Sequence, residues 1–205
     1  MKILFIFCLL SSSPWFIHKT TVQELIFYNL TTYYMNGSIL QIGKILVPFD
    51  NSGYSKRSLK YAVDLAKVIL SDNRGKEHIR IFLLHVVQEF PIAKSLSDRL
   101  LRDKEGKVIS LSQYASAIYD GMKDNMEKSL SKEISKYSSI DGVKIDFAIL
   151  SGDPANVIVD YTEKNKIDLV IMGSNGLQGL AKFKGLGNVS RKVSEAVSCL
   201  ITIIR

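Results

Sequence analysis

Five short apolar runs limit what this chain can become: Lys44–Phe49 (KILVPF), Ile79–Val87 (IRIFLLHVV), Val143–Leu150 (VKIDFAIL), Asp168–Met172 (DLVIM) and Cys199–Ile204 (CLITII). Each is too short for a stable helix, so each reads as a strand. Between them, apolar residues recur at three- and four-residue spacing. Leu59, Ala62, Ala66 and Ile69 share one face of a helix over about Tyr54–Leu70, with Ser52 or Ser55 available as its cap. Ile118, Met122, Met126, Leu130 and Ile134 form a stripe over about Leu111–Tyr137 and are expected to pack into the core. Asp153 and Pro154 read as N-cap and first residue of a helix running to about Lys166, with Val157, Ile158 and Tyr161 inward. A last helix spans about Asn188–Val197. This alternation predicts a single α/β domain: a doubly wound, five-stranded, mostly parallel, Rossmann-like sheet with helices on both faces. Ligands of such sheets bind at the strand C-terminal ends, where the strand order reverses.

The stretch Ile167–Val197 adds chemistry to that plan. Its strand ends at Gly173, further glycines follow at 176, 179 and 185, and Gly187 stands just before the last helix. Glycine lets a ligand approach bare backbone N–H groups, and a helix N-terminus adds unpaired donors and partial positive charge. A mobile surface loop is the alternative, but the placement between a buried strand and a helix favours an anion site.

Outside this region the sequence is less regular. Residues 1–42 do not share the rhythm. Lys2, the run Ile3–Leu10 and Ser11–Pro14 resemble a short secretory signal, which would make the protein exported, yet the run is too short to span a bilayer and no A-x-A-like site follows. The reading adopted is that residues 1–42 are an extension outside the fold, with Met1 and Met35 both open as the start, and that residues 43–205 form the domain of a cytoplasmic protein. The segment 88–110, with Pro91 and Gly106, has no clean period and is expected to be a long loop or insertion. A hydrophobic content of 46% supports one good core. The net charge of +7 is spread through alternating acids and bases, with no Arg-rich run or aromatic-basic motif, so no nucleic acid is expected as a partner. Cys8 and Cys199 sit at opposite ends and give neither metal spacing nor a disulfide framework.

The motifs taken together resemble the universal stress protein family over residues 43–205. KILVPFD with its Ser-containing turn looks like the family's opening and LLHVV like its second strand. SGDPANVIVDYTEKNKIDLVIMGSNG is similar to its helix start, acidic strand entrance and M-G-S-x-G loop, and LGNVSRKVSEAVSCLITIIR to its terminal helix and strand. The resemblance implies a fold like the adenine nucleotide alpha hydrolases and an ATP cofactor, with or without Mg2+. ATP-binding members carry G-x2-G-x9-G-(S/T). Here Gly173 and Gly176 are present, ten residues intervene before Gly187, and Asn188 stands in the Ser/Thr place. Carried over, the resemblance assigns Asp50 to the ribose or adenine end, and Pro48, Val86 and Met172 to the base pocket. Gly173, Gly176, Gly187, Asn188, Val189 and Ser190 would cradle ribose and phosphates. Asp50 has an equal alternative, capping the first helix.

Other chemistries find little support. No Gly-Lys-Ser/Thr follows at P-loop spacing, and the glycines are not in the first βα turn where a dinucleotide fingerprint belongs. His85 is a lone histidine near a strand end, read as satisfied by its surroundings. No base, nucleophile or metal cluster is identified, so the expected role is regulatory nucleotide binding, against a slow ATPase or a nucleotide-free dimerisation module. Lys182, Lys184, Arg191 and Lys192 flank the glycines, and one or two of them can reach a triphosphate. The apolar run Cys199–Ile204 is expected to be an open edge strand that pairs with a second copy as a homodimer. A protein partner of unknown kind completes the expectation.

Overall fold

The computed structural model describes residues 3–6, 42–71, 78–88, 92–102, 105–175 and 186–205. Its strands are β1 (Ile3–Ile6), β2 (Lys44–Pro48), β3 (Ile79–Val87), β4 (Leu100–Arg102), β5 (Val108–Ser110), β6 (Val143–Ser151), β7 (Leu169–Gly173) and β8 (Leu200–Ile204). Its helices are α1 (Gly53–Ser71), α2 (Lys94–Ser97), α3 (Leu111–Ser135), α4 (Pro154–Asn165) and α5 (Asn188–Ala196). The main sheet has the order β1-β8-β7-β2-β3-β6. The five strands from β8 to β6 are mutually parallel, as expected for a doubly wound sheet.

Alternation along each strand explains why both faces are covered. Ile45, Val47, Ile79, Ile81, Leu83, Leu169 and Ile171 point to one face, where α1 brings Leu59, Ala62 and Ala66 and α3 brings Leu130. Leu46, Phe82, Leu84, Val170, Met172, Ile201 and Ile203 point to the other, where α4 brings Ala155 and Ile158 and α5 brings Val193. A strand buried on both sides has no polar positions to spare, which is why these runs read as continuous apolar stretches.

Local signals set the helix starts. Ser52 Oγ accepts the Ser55 N–H at 3.1 Å and caps α1. Asp153 accepts from the Asn156 N–H at 3.1 Å, with Pro154 at the first helical position of α4. At the N-terminal end of the strands, one carboxylate ties two of them together. Asp168 Oδ2 accepts from the Gly43 and Lys44 N–H groups, each at 2.8 Å, and the Asp168 N–H donates to the Lys44 carbonyl at 3.1 Å.

The structure corrects several expectations. Residues Ile3–Ile6 pair antiparallel with Ile201–Ile204, so within this chain β8 has a strand on each side. An unpaired apolar strand edge attracts any extended apolar segment within reach, including one from the same chain. The segment 88–110 is not a plain loop: it carries α2 and the antiparallel β4-β5 ribbon, itself packed against the start of α3. The stripe on α3 is core only in its second half. Leu130 is fully buried, whereas Ile118 and Met122 are each 48% exposed, because α3 extends beyond the sheet it covers. No helix among the described residues is long and apolar enough to cross a membrane.

Candidate nucleotide site

The chain runs β2-β3-β6 in one direction across the sheet and then returns to lay β7 and β8 on the other side of β2. The order therefore reverses between β2 and β7. Their pairing covers only Ile45↔Leu169 and Leu46↔Val170. On either side the ladders go further, from Lys44↔Arg80 to Pro48↔Leu84 for β2 and β3, and from Leu169↔Leu200 to Gly173↔Ile204 for β7 and β8. The sheet thus splits at its C-terminal edge, with Pro48 on one lip and Met172 and Gly173 on the other. A split of this kind is where an open α/β sheet offers a crevice to a ligand.

On the β2 lip, Pro48 and Asp50 are half-buried. Asp50 Oδ1 accepts the Ser52 N–H at 3.0 Å, and Asn51 between them takes φ 65°, so the carboxylate holds a tight turn one step ahead of the cap. Of the two roles left open for Asp50, the cap itself belongs to Ser52. His85 lies alongside on β3. Its Nδ1 is 2.8 Å from the Phe49 carbonyl, which only accepts, so Nδ1 carries the hydrogen and the ring is satisfied by backbone. Val86 is half-buried and packs with the second core face, and Met172 is 4% exposed, so Met172 is the floor beneath the crevice rather than its wall.

The β7 lip is built around one carbonyl that sequence reasoning did not single out. Ser174 O accepts the Gly187 N–H at 2.7 Å and the Ser190 Oγ–H at 2.9 Å, while the Ser174 N–H donates to Ile204 O at 2.8 Å. These bonds lock the end of β7 to the start of α5. A Cβ on Gly187 would meet that same oxygen at 3.1 Å, so a side chain there would press on the junction by a few tenths of an ångström. With Gly187 as N-cap, no cap side chain accepts from the first turn of α5, and the N–H groups of Asn188, Val189 and Ser190 start the helix without one. Asn188 is exposed there; its Oδ1 lies 3.5 Å from Arg191 Nη2, which leaves the amide NH2 as donor.

Gly173 has a packing reason of its own. A Cβ at this position would sit 2.6 Å from the Tyr54 Cβ, so the bare backbone lets the first turn of α1 cross the split. Gly176, like Gly179, Gly185, Lys182 and Lys184, lies outside the described residues. Pro48, Asp50, Val86, Met172, Gly173, Gly187, Asn188, Val189 and Ser190 are therefore gathered on one edge of the sheet. The only sequence signal that pointed to Ser174 was its place inside the M-G-S-N-G run. Among the described residues no group of three or more His, Cys, Asp or Glu side chains is placed to hold a metal ion.

A family model for the universal stress protein family matches residues 41–205. The chain belongs to the universal stress protein family. A universal stress protein of Methanocaldococcus jannaschii is 29% identical over 178 residues, covering 84% of this chain and 91% of the relative. The universal stress protein YxiE of Bacillus subtilis is 28% identical over 162 residues, covering 79% and 98%. The solved structure of universal stress protein UspA from Lactobacillus plantarum shares the fold at a TM-score of 0.62 and 20% identity, over 80% of this chain and 99% of that one.

Proposed function

We propose that this universal stress protein is a cytoplasmic regulatory module that binds ATP in the split between β2 and β7. The observation that carries the reading is the early end of the β2–β7 ladder, with Asp50 beside one lip and a fixed, side-chain-free helix start on the other. The N-terminus of α5 supplies directed N–H donors and partial positive charge for phosphate oxygens. The Asn188 amide supplies a further donor where ATP-binding relatives carry Ser or Thr. Pro48 and Val86, above the Met172 floor, offer an apolar place for a base, and Asp50 faces the hydroxyl-bearing end of the ligand. Mg2+ accompanying the nucleotide is held in this reading by phosphate oxygens and water. Bound ATP changes the shape of this edge, and a protein partner reads the change.

Exchange of Asn188 for Asp tests the reading without disturbing the fold. A carboxylate in the first turn suits the helix dipole, so stability is kept, but it faces the phosphates with like charge. With ATP at 100 times its Kd, the parent gains about 2.7 kcal/mol, or roughly 5–10 °C in Tm. Asn188→Asp should retain its own Tm and lose most of the ATP-dependent rise. An equal rise in both proteins, or none in the parent and no nucleotide released on its denaturation, refutes the proposal.

A further inference from the structure

The start of α1 carries charge of the sign that a helix start disfavours. Lys56 and Arg57 are the fourth and fifth residues of the helix, and its first turn holds no acidic residue. Cations near a helix N-terminus oppose the macrodipole, so for stability alone a carboxylate would serve better there. Other cations of this chain answer to a carboxylate: Lys60 to Asp64 at 2.6 Å, Arg80 to Asp146 at 2.7 Å, Lys136 to Glu133 at 2.6 Å. Arg57 has no ion pair among the described residues, and the helix positions three and four away from it are Gly53, Tyr54, Lys60 and Tyr61. Its guanidinium lies instead over the Tyr54 ring, with Cζ 4.5 Å from the ring centroid. Its Nη1 comes within 3.6 Å of the place where a Cβ on Gly53 would stand. The side chain is exposed and folds back toward the beginning of α1.

That beginning stands at the split. Tyr54 Cβ is the atom that a side chain on Gly173 would strike, so the residue whose ring lies under Arg57 abuts the end of β7. The two helix starts approach this end from opposite faces of the sheet, α1 on one and α5 on the other. Gly173 meets Tyr54 of α1, and Ser174 O accepts the Gly187 N–H ahead of α5. A phosphate chain that begins on the N–H groups of α5 and runs across Gly173 therefore arrives at Arg57. A single phosphate fills the α5 start alone. A guanidinium lying on an aromatic face keeps its outer N–H groups for an anion and has little freedom left to lose on binding one. We infer that Arg57 is a specificity-determining residue of this site: it takes the terminal phosphate of a nucleoside triphosphate, across the end of β7 from α5, and so selects triphosphates over monophosphates. This selection rests on the nucleotide reading of the split.

The test separates the two. Isothermal titration calorimetry with ATP and with AMP, at one fixed salt concentration, compares the full chain with its Arg57→Gln and Lys56→Gln variants, and circular dichroism confirms that all three are folded. The parent should bind ATP more tightly than AMP. Arg57→Gln should weaken ATP about tenfold or more and AMP by less than about twofold, since a charge-assisted hydrogen bond is lost from one ligand only. Lys56→Gln removes the same charge from the neighbouring position and should weaken ATP far less. Unchanged ATP binding in Arg57→Gln, equal weakening of ATP and AMP, or an equal loss of ATP affinity in both variants overturns the inference and leaves nucleotide binding standing. A parent that binds neither nucleotide overturns both.

Discussion

Gly173→Ala is the sharpest test of how the site is assembled, because the structure gives both its sign and its size. The added Cβ would lie 2.6 Å from the Tyr54 Cβ and 3.3 Å from both the Asn175 carbonyl oxygen and the Tyr54 carbonyl carbon. Carbon atoms in contact prefer about 3.5–4.0 Å, so a gap of about 1 Å must open. A Tyr54 rotamer change does not help, since Cβ is fixed by the backbone. The backbone is fixed in turn by the Ser52 cap and by Ser58 Oγ–H donating to Tyr54 O at 3.0 Å. Gly173 has no positive φ, so the cost is steric alone. Overpacking of this kind costs about 1–3 kcal/mol, against about 0.4–1 kcal/mol regained from a less flexible unfolded chain. The net expectation is a loss of about 1–2 kcal/mol. Gly121→Ala is the internal control: nothing lies within 4 Å of its added Cβ in the middle of α3, so helix propensity predicts a gain of about 0.8–1 kcal/mol. Urea unfolding of the three proteins should rank Gly121→Ala above the parent and Gly173→Ala below it. If Gly173→Ala matches or exceeds the parent, the close crossing of α1 over the end of β7 is wrong. Adding Tyr54→Gly to Gly173→Ala should recover part of the loss, a coupling that non-contacting residues do not show.

Other expectations concern parts of the chain away from the split. Asp168→Ala leaves the Gly43 and Lys44 N–H groups without their carboxylate and should cost about 2–3 kcal/mol in urea unfolding. ATP binding at the opposite end of the strands should keep its affinity in that variant. Burial pushes the Cys199 thiol up to about 11, whereas in the unfolded chain it ionises near 8.5. Its contribution to stability is therefore complete below about pH 8.5 and falls as pH rises toward 11, so Cys199→Ala should flatten the pH dependence of the urea midpoint over that window. An equally steep decline in the variant contradicts the assignment.

Most of the fold was legible because short range decides it. The runs at Ile81–Leu84 and Leu169–Met172 are apolar at consecutive positions, as a strand covered on both faces requires. Asp153-Pro154 and Ser52 mark helix starts through bonds reaching no more than three residues. What was not legible depends on partners distant in sequence. The α3 stripe has the same spacing at Ile118 and Met122 as at Met126 and Leu130, and spacing cannot say where the sheet beneath a helix ends. The pairing of Ile3–Ile6 with β8 joins segments from opposite ends of the chain, and no local pattern in either announces the other. At the site, the glycine pattern and Asp50 were visible as residue types. The organising atom is the Ser174 carbonyl, a group every residue owns, so its role emerges only when Gly187 and Ser190 are seen to converge on it. Gly173 was read as room for phosphate; the structure adds that it is room for α1.

Titrating ATP into the 15N-labelled protein and following its backbone amides tests residue by residue whether ATP occupies the split between β2 and β7. Occupancy there predicts saturable shifts at Ser52 on one lip and at Gly187, Asn188, Val189 and Ser190 on the other, with the amides of α3 and β6 unmoved. Shifts confined to α3 and β6, or no saturable shift at any of these residues, would contradict it.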